Sequence, residues 1–268
     1  ALLHAGVVNL GGFVLIRFSP LLEAVPAARW LLVALGLATA MLAGLVMLTR
    51  VSIKVRLAWS TVAQMGFMVM ECGLGLYTLA LLHLIGHSLY KAHAFLAASS
   101  AVEDTRLRMM RIPALPSAAS LVLAPLATAA VVAALVALMP GAAWPLWWSG
   151  VLALAWAPLL WCPAGAAQPS GLVLRVLAGL GMVAALTAAA LVGHLLPFGV
   201  QDVPDPAAGG VALAGMAVLY ACLATLQVRA NALPTWRRWS YAGFYVDEIA
   251  TRAALRLWPA RWTPHAPQ

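Results

Sequence analysis

Long apolar runs decide what this chain can fold into. Several windows hold the ~20 apolar residues that a helix needs to cross the ~30 Å hydrocarbon core of a bilayer. Unpaired backbone groups are not tolerated in lipid, so only helices or closed barrels can span it. The runs lack the period-two alternation of a barrel strand, and Ala and Leu dominate them. Composition agrees, with apolar residues at 64% of the chain and charged residues at 9%. The sequence therefore predicts an all-α, polytopic membrane helix bundle whose solvent is the lipid bilayer.

Seven spans are expected, over 29–49, 57–74, 76–101, 117–139, 145–162, 171–196 and 210–228. The formal charge of +8 does not gather into one patch, which argues against nucleic acid. Basic residues sit instead in short connections. Arg50, Lys54 and Arg56 precede the second span, Arg106, Arg108 and Arg111 follow the third, and Arg229, Arg237 and Arg238 follow the seventh. The positive-inside rule places all three clusters in the cytoplasm and the acidic loop with Asp202 and Asp205 on the opposite face.

The two ends read differently. The opening "ALLHAGVVNLGGFVLI" has no initial Met and starts inside an apolar segment, so the chain is expected to be the C-terminal part of a longer protein. Asn9, Gly11 and Gly12 interrupt that segment after His4, which predicts a broken helix. The tail "RRWSYAGFYVDEIATRAALRLWP" is too charged to span. Phe244, Ile249, Ala253 and Leu257 recur near helical spacing, which predicts an amphipathic helix on the membrane surface or on a partner. Cys72, Cys162 and Cys222 lie far apart in or near apolar runs and read as small fillers, without disulfide or metal-ligand spacing.

One segment resists this apolar logic. In "HLIGHSLYKAHAF", His83, His87 and Lys91 stand four residues apart, within ~80° of one helix face and over ~12 Å of its length. A lysine at the bilayer centre costs ~3 kcal/mol on insertion scales, so it needs a structural partner or a function. Histidine titrates near neutral pH, and a lysine withdrawn from water gives up its proton more readily. Neighbours that exchange charge cheaply are what a proton relay requires, the alternative being histidines bonded to neighbouring backbone carbonyls. His93 points about 160° away from Lys91 and is left out of the relay. The preceding span, "LAWSTVAQMGFMVMECG", adds Ser60, Thr61, Gln64 and Glu71; Ser60 and Gln64 are spaced to order water beside the ladder. A zinc site fits poorly, because the HExxH glutamate and a third ligand are missing and a lysine repels the cation. No nucleophile–base pair and no cofactor-binding loop is visible, so a transport subunit is expected rather than an enzyme.

These residues carry a resemblance. "VSIKVRLAWSTVAQMGFM" followed by "LALLHLIGHSLYKAHAFLAASSAVED" resembles the antiporter-like subunits of respiratory complex I and of Mrp antiporters. "LLHAGVVNLGG" is similar to their preceding broken helix, with His4 at the family's histidine. Within that superfamily, "HSLYKAHAFL" and the tail "GFYVDEIATRAALRLWP" resemble the DabB type of inorganic carbon transporter subunit.

The resemblance implies an ion-translocating segment over 1–105, a C-terminal transmembrane bundle over 106–228 and a cytoplasmic-face tail over 229–268. It implies His83, His87 and Lys91 as the path for protons or sodium ions, with His4 as its broken-helix element and Lys54 as the lysine at the membrane edge. Ser60, Gln64 and Glu71 would support that path. It further implies a DabA-like zinc protein resembling β-carbonic anhydrase as partner, and carbon dioxide uptake as bicarbonate across a bacterial inner membrane. The alternative is a proton-pumping subunit of a complex I, hydrogenase or Mrp-type assembly. Two departures stand out: Ser52 replaces an acidic residue frequent in complex I relatives, and Arg175 is the only Lys or Arg in the spans after Lys91.

Overall fold

A computed structural model of the protein describes residues 2–50, 52–98, 115–139, 141, 144–165, 169–229 and 234–257. Among them the backbone is helical, apart from connecting turns and one isolated bridge between Pro116 and Pro163. A π-turn over Leu3–Val7 leads into α1, Asn9–Arg17. The short α2, Ser19–Glu23, precedes α3, Pro26–Met47. Next come α4, Ile53–Leu74, and α5, Tyr77–Leu96. The second half holds α6, Ala118–Leu138; α7, Leu146–Trp156; α8, Pro169–His194; and α9, Pro206–Val228. Two amphipathic helices close the chain, α10, Pro234–Tyr241, and α11, Val246–Leu257.

Helices coincide with all seven expected spans. Of these, α3, α6, α9 and residues Gly171–His194 of α8 are long and apolar enough to cross a membrane. At 22 and 20 residues, α4 and α5 match them in length while carrying the polar residues. The segment expected at 145–162 is shorter, because Pro158 lacks an amide donor and the chain tightens into a 3-10 turn over Ala157–Leu160. The opening segment is broken earlier than its glycines predict: the irregular turn lies at Leu3–Val7, and Gly11 and Gly12 lie inside α1. Large apolar side chains face outward, with Leu35 at 57%, Val122 at 67% and Leu174 at 70% exposure, as suits lipid rather than water. The cluster Arg106, Arg108 and Arg111 lies outside the described residues.

Packing follows from small residues. Gly36 of α3 meets α4 so closely that a Cβ there would stand 2.5 Å from the Met70 amide nitrogen, and one on Gly66 would stand 2.7 Å from that of Ala40. Small residues permit this approach between membrane helices, where dispersion replaces the hydrophobic effect. The core buries Trp148, Met70, Leu74, Val33, Val151 and Leu191. In α6, Pro125 cannot donate to the Leu121 carbonyl four residues back. The Tyr220 hydroxyl of α9 donates to that carbonyl at 2.7 Å, and Trp161 Nε1 donates to the hydroxyl at 3.0 Å. The backbone group that the proline frees is satisfied by a neighbouring helix.

The two ends of α4 are closed by different parts of the chain. At its C-terminus Gly75 turns with φ +77°, against the Val203 carbonyl. Asp202 there accepts from the Thr78 amide at 2.8 Å, and the Asp205 amide donates to the Leu74 carbonyl at 3.1 Å. At the other end, beyond α3, the Ser240 hydroxyl of α10 donates to the Leu45 carbonyl at 3.1 Å. Thr49 Oγ1 donates to the Ser240 carbonyl, also at 3.1 Å. The acidic loop and the tail are thus held at opposite ends of α4, about 33 Å apart by helix rise.

Candidate functional site

The α4–α5 hairpin brings the polar residues of both helices to one seam. On α4, Ser60, Gln64 and Glu71 fall within about 40° of one another at 100° per residue. The Gly75 turn reverses the chain, so α5 presents His83, His87 and Lys91 to that face in antiparallel order.

At the turn-proximal end, His83 is held on both sides. Its Nδ1 lies 2.8 Å from Glu71 Oε2 and its Nε2 lies 2.8 Å from Gln64 Oε1. Glu71 is buried, and its side chain keeps 4% of its surface exposed. Phe67 packs edge-on against the imidazole, with ring centroids 5.7 Å apart, and also touches Trp148 of the core. This histidine is clamped.

At the far end, Lys91 is wholly buried. Its Nζ donates to Ser60 Oγ at 2.8 Å and to the Leu57 carbonyl at 3.1 Å. Both partners are neutral. A buried ammonium unmatched by a carboxylate is costly, whereas the neutral amine is tolerated at the same place. Lys91 is thus held by two neutral hydrogen-bond acceptors.

Between them stands His87, only 5% exposed, with no hydrogen-bond partner on either ring nitrogen among the described residues. Its ring lies edge-on to that of His83, centroids 6.3 Å apart. His87 thus stands between a clamped histidine and a buried lysine. The order along the seam is Glu71, His83, His87, Lys91.

Gln64 and Ser60 bond the ladder directly. His93 is exposed and faces away, as the spacing predicts. His4 joins from the side, its ring stacked on Phe95 of α5 at 4.8 Å with the planes 7° apart. Lys54 stays outside the seam, exposed in the first turn of α4, one turn before Leu57. Sequence reasoning passed over Ser88, Phe67 and Phe95. Ser88 accepts from Asn9 Nδ2 at 2.7 Å and so ties α1 to α5; the signal for it was a hydroxyl directly after a buried histidine. The two aromatics gave no such signal, since aromatic residues are ordinary in apolar helices.

Comparison with known proteins places these residues in context. A family model described as "NADH:quinone oxidoreductase/Mrp antiporter, TM" matches residues 1–162. A probable inorganic carbon transporter subunit DabB of Hydrogenovibrio crunogenus is 38% identical over 97% of this chain and 51% of its own length. Probable subunit DabB2 of Halothiobacillus neapolitanus is 57% identical over 106 residues, 40% of this chain and 19% of its own. NADH-quinone oxidoreductase subunit L of Rhodobacter capsulatus is 41% identical over 103 residues, 38% of this chain and 14% of its own. The chain thus spans about half the length of the relative that it matches end to end.

Proposed function

The chain belongs to the NADH:quinone oxidoreductase/Mrp antiporter family of transmembrane subunits, and from that membership we propose that it is the ion-translocating part of an inorganic carbon uptake pump. The observation that carries this reading is the buried seam, in which two histidines and a lysine line up inside an apolar bundle with His87 between anchored neighbours. Residues 1–105 form the translocating segment. Protons or sodium ions move along Glu71, His83, His87 and Lys91, with His4 beside the lysine end and Lys54 at the membrane edge. The chemistry of the seam favours protons, because each ladder member can bind or release one. Ion flow drives net hydration of carbon dioxide to bicarbonate on a zinc-binding partner of β-carbonic anhydrase type, and the chain itself performs no catalysis. End-to-end similarity to a DabB subunit supports this assignment. Similarity of one segment to subunit L supports a second reading, a redox-coupled pump built on the same ladder.

The test uses the full-length transporter with its partner. Lys91→Ala is expected to abolish ion-coupled uptake with insertion and assembly intact, since neutral partners leave no stranded charge. Lys91→Arg keeps the charge but does not deprotonate at accessible pH, so it too is expected to fail. Wild-type uptake by the arginine variant across neutral pH would refute the relay.

On this reading the protein sits in a bacterial inner membrane with its C-terminal tail in the cytoplasm. The basic connection with Arg50 lies at the tail's end of α4, and the acidic loop lies at the other. Single cysteines near positions 237 and 205 are expected to respond oppositely to an impermeant thiol reagent added outside intact cells. Position 205 is labelled and position 237 is protected; equal labelling of both contradicts this placement.

A further inference from the structure

We infer that Asn9 is a positioning residue for the ion path, setting the register of the broken helix so that His4 faces the lysine end of α5. This rests on the reading of the seam as an ion path. Asn9 is 5% exposed, in a chain whose apolar helices have little reason to bury an amide. Its Nδ2 donates twice, to the Ala5 carbonyl at 3.0 Å and to Ser88 Oγ at 2.7 Å. The first bond closes on the π-turn from within, where the Val8 amide reaches back five residues to the Leu3 carbonyl at 3.2 Å. The second ties that turn to the residue directly after His87. Ser88 Oγ in turn donates to the Leu84 carbonyl at 2.9 Å, so the hydroxyl is committed in both directions.

The register matters because a π-turn holds one residue more than an α-turn. Converting it to α-geometry rotates everything upstream by about 100° relative to α1. His4 lies upstream. Its stack on Phe95 and the bond between Asn9 and Ser88 form two antiparallel rungs between the broken helix and α5, and Lys91 lies between those rungs on α5. Without the Asn9 rung, the π-turn loses its side-chain hydrogen bonds to Ala5 and Ser88 and is left to packing such as the His4–Phe95 stack, and a helix relaxed to α-geometry carries His4 off the face of α5.

A second observation points to the path rather than to packing alone. A buried amide retained only for structure is normally satisfied at both ends. Asn9 Oδ1 is buried without a protein partner, and so are His4 Nδ1 and both nitrogens of His87. Asn9 meets Ser88, next to His87 and between His83 and Lys91 on α5, while His4 lies about one turn beyond Lys91 at Phe95.

The experiment uses the full-length transporter complex with Cys72, Cys162 and Cys222 replaced, and with cysteines introduced in pairs at positions 4 and 95. A short bifunctional thiol reagent reports the register, and a parallel set with His4 and Phe95 intact reports ion-coupled uptake. Asn9→Leu, which keeps the volume and removes the amide, is expected to lower the crosslink yield severalfold. Uptake is expected to fall about tenfold, because misplacing a transfer group by an ångström has effects of that size or larger. Ser88→Ala removes the same rung from the other side and shifts both readouts in the same direction, and Ser88→Thr recovers most of each. If Asn9→Leu fails to assemble, the two Ser88 variants carry the test. Unchanged crosslinking in Asn9→Leu and Ser88→Ala overturns the inference, and so does lost crosslinking with normal uptake. Normal uptake by His4→Gln and Lys91→Ala instead overturns the ion path itself, while a lost crosslink still shows that Asn9 holds the register.

Discussion

The α4–α5 hairpin and the later bundle of α6 to α9 both bury polar side chains, and they do so in opposite ways. In the later bundle, Thr128, Thr187 and Thr225 each donate to a carbonyl four residues back in their own helix. Where Tyr220 reaches across to α6, it satisfies a carbonyl that Pro125 had freed. Every one of these bonds serves the backbone. In the hairpin, side chain meets side chain across the helices, Glu71 and Gln64 to His83 and Ser60 to Lys91. Polar residues that serve the backbone are an accommodation to lipid, whereas titratable side chains that meet one another across a seam in a membrane are the arrangement on which the proposed ion path rests.

That contrast is broken most directly at Glu71. Glu71→Leu leaves His83 Nδ1 without its partner, and ion-coupled uptake is expected to fall on the order of a hundredfold, the scale of losing a positioned proton-transfer group. Uptake assays on the complete complex decide it. Near-normal rates would place the histidine clamp among accommodations of the Thr187 kind.

Tyr220→Phe acts on stability alone. It strands the Leu121 carbonyl and the Trp161 donor, at a cost of about 1–3 kcal/mol. Thermal denaturation in detergent or nanodiscs is expected to show the loss, with the uptake rate per folded molecule unchanged. A transport defect beyond the loss of folded protein would extend the functional region into the later bundle.

The smallest effect is expected at Thr187. Its hydroxyl bonds only within its own helix, and Thr187→Val should change stability by about 0.6 kcal/mol or less, near the average for polar bonds between membrane helices. A larger shift in the same denaturation assay would show that Thr187 contributes to packing between helices.

Much of the fold was legible because lipid imposes a simple rule on sequence. Helix positions over α3, α6, α8 and α9 follow from apolar length, and the amphipathic α11 follows from its charges. Exceptions arose where short-range chemistry cut across the rule. Pro158 shortened one apolar run, and the irregular turn at Leu3–Val7 lay upstream of Gly11 and Gly12, which stay helical within α1. The helix α10 was not anticipated, since its anchoring through Ser240 to Leu45 joins residues 195 positions apart.

By itself the sequence determined the environment of this chain and the one face of α5 on which His83, His87 and Lys91 stand. Both are properties of a single helix, set by hydropathy and a period of 3.6 residues. Only the tertiary structure decided what answers that face. The packing of α4 against α5 starts from the Gly75 turn between them, while the close fit of Gly36 against Gly66 fixes the other side of α4 on α3, and no pattern within one helix encodes either. That packing clamps His83, gives Lys91 two neutral acceptors and leaves both His87 nitrogens without a partner among the described residues. The π-turn likewise sets His4 against Phe95, because a one-residue change of register is invisible to periodicity and is held by a contact between residues 79 positions apart.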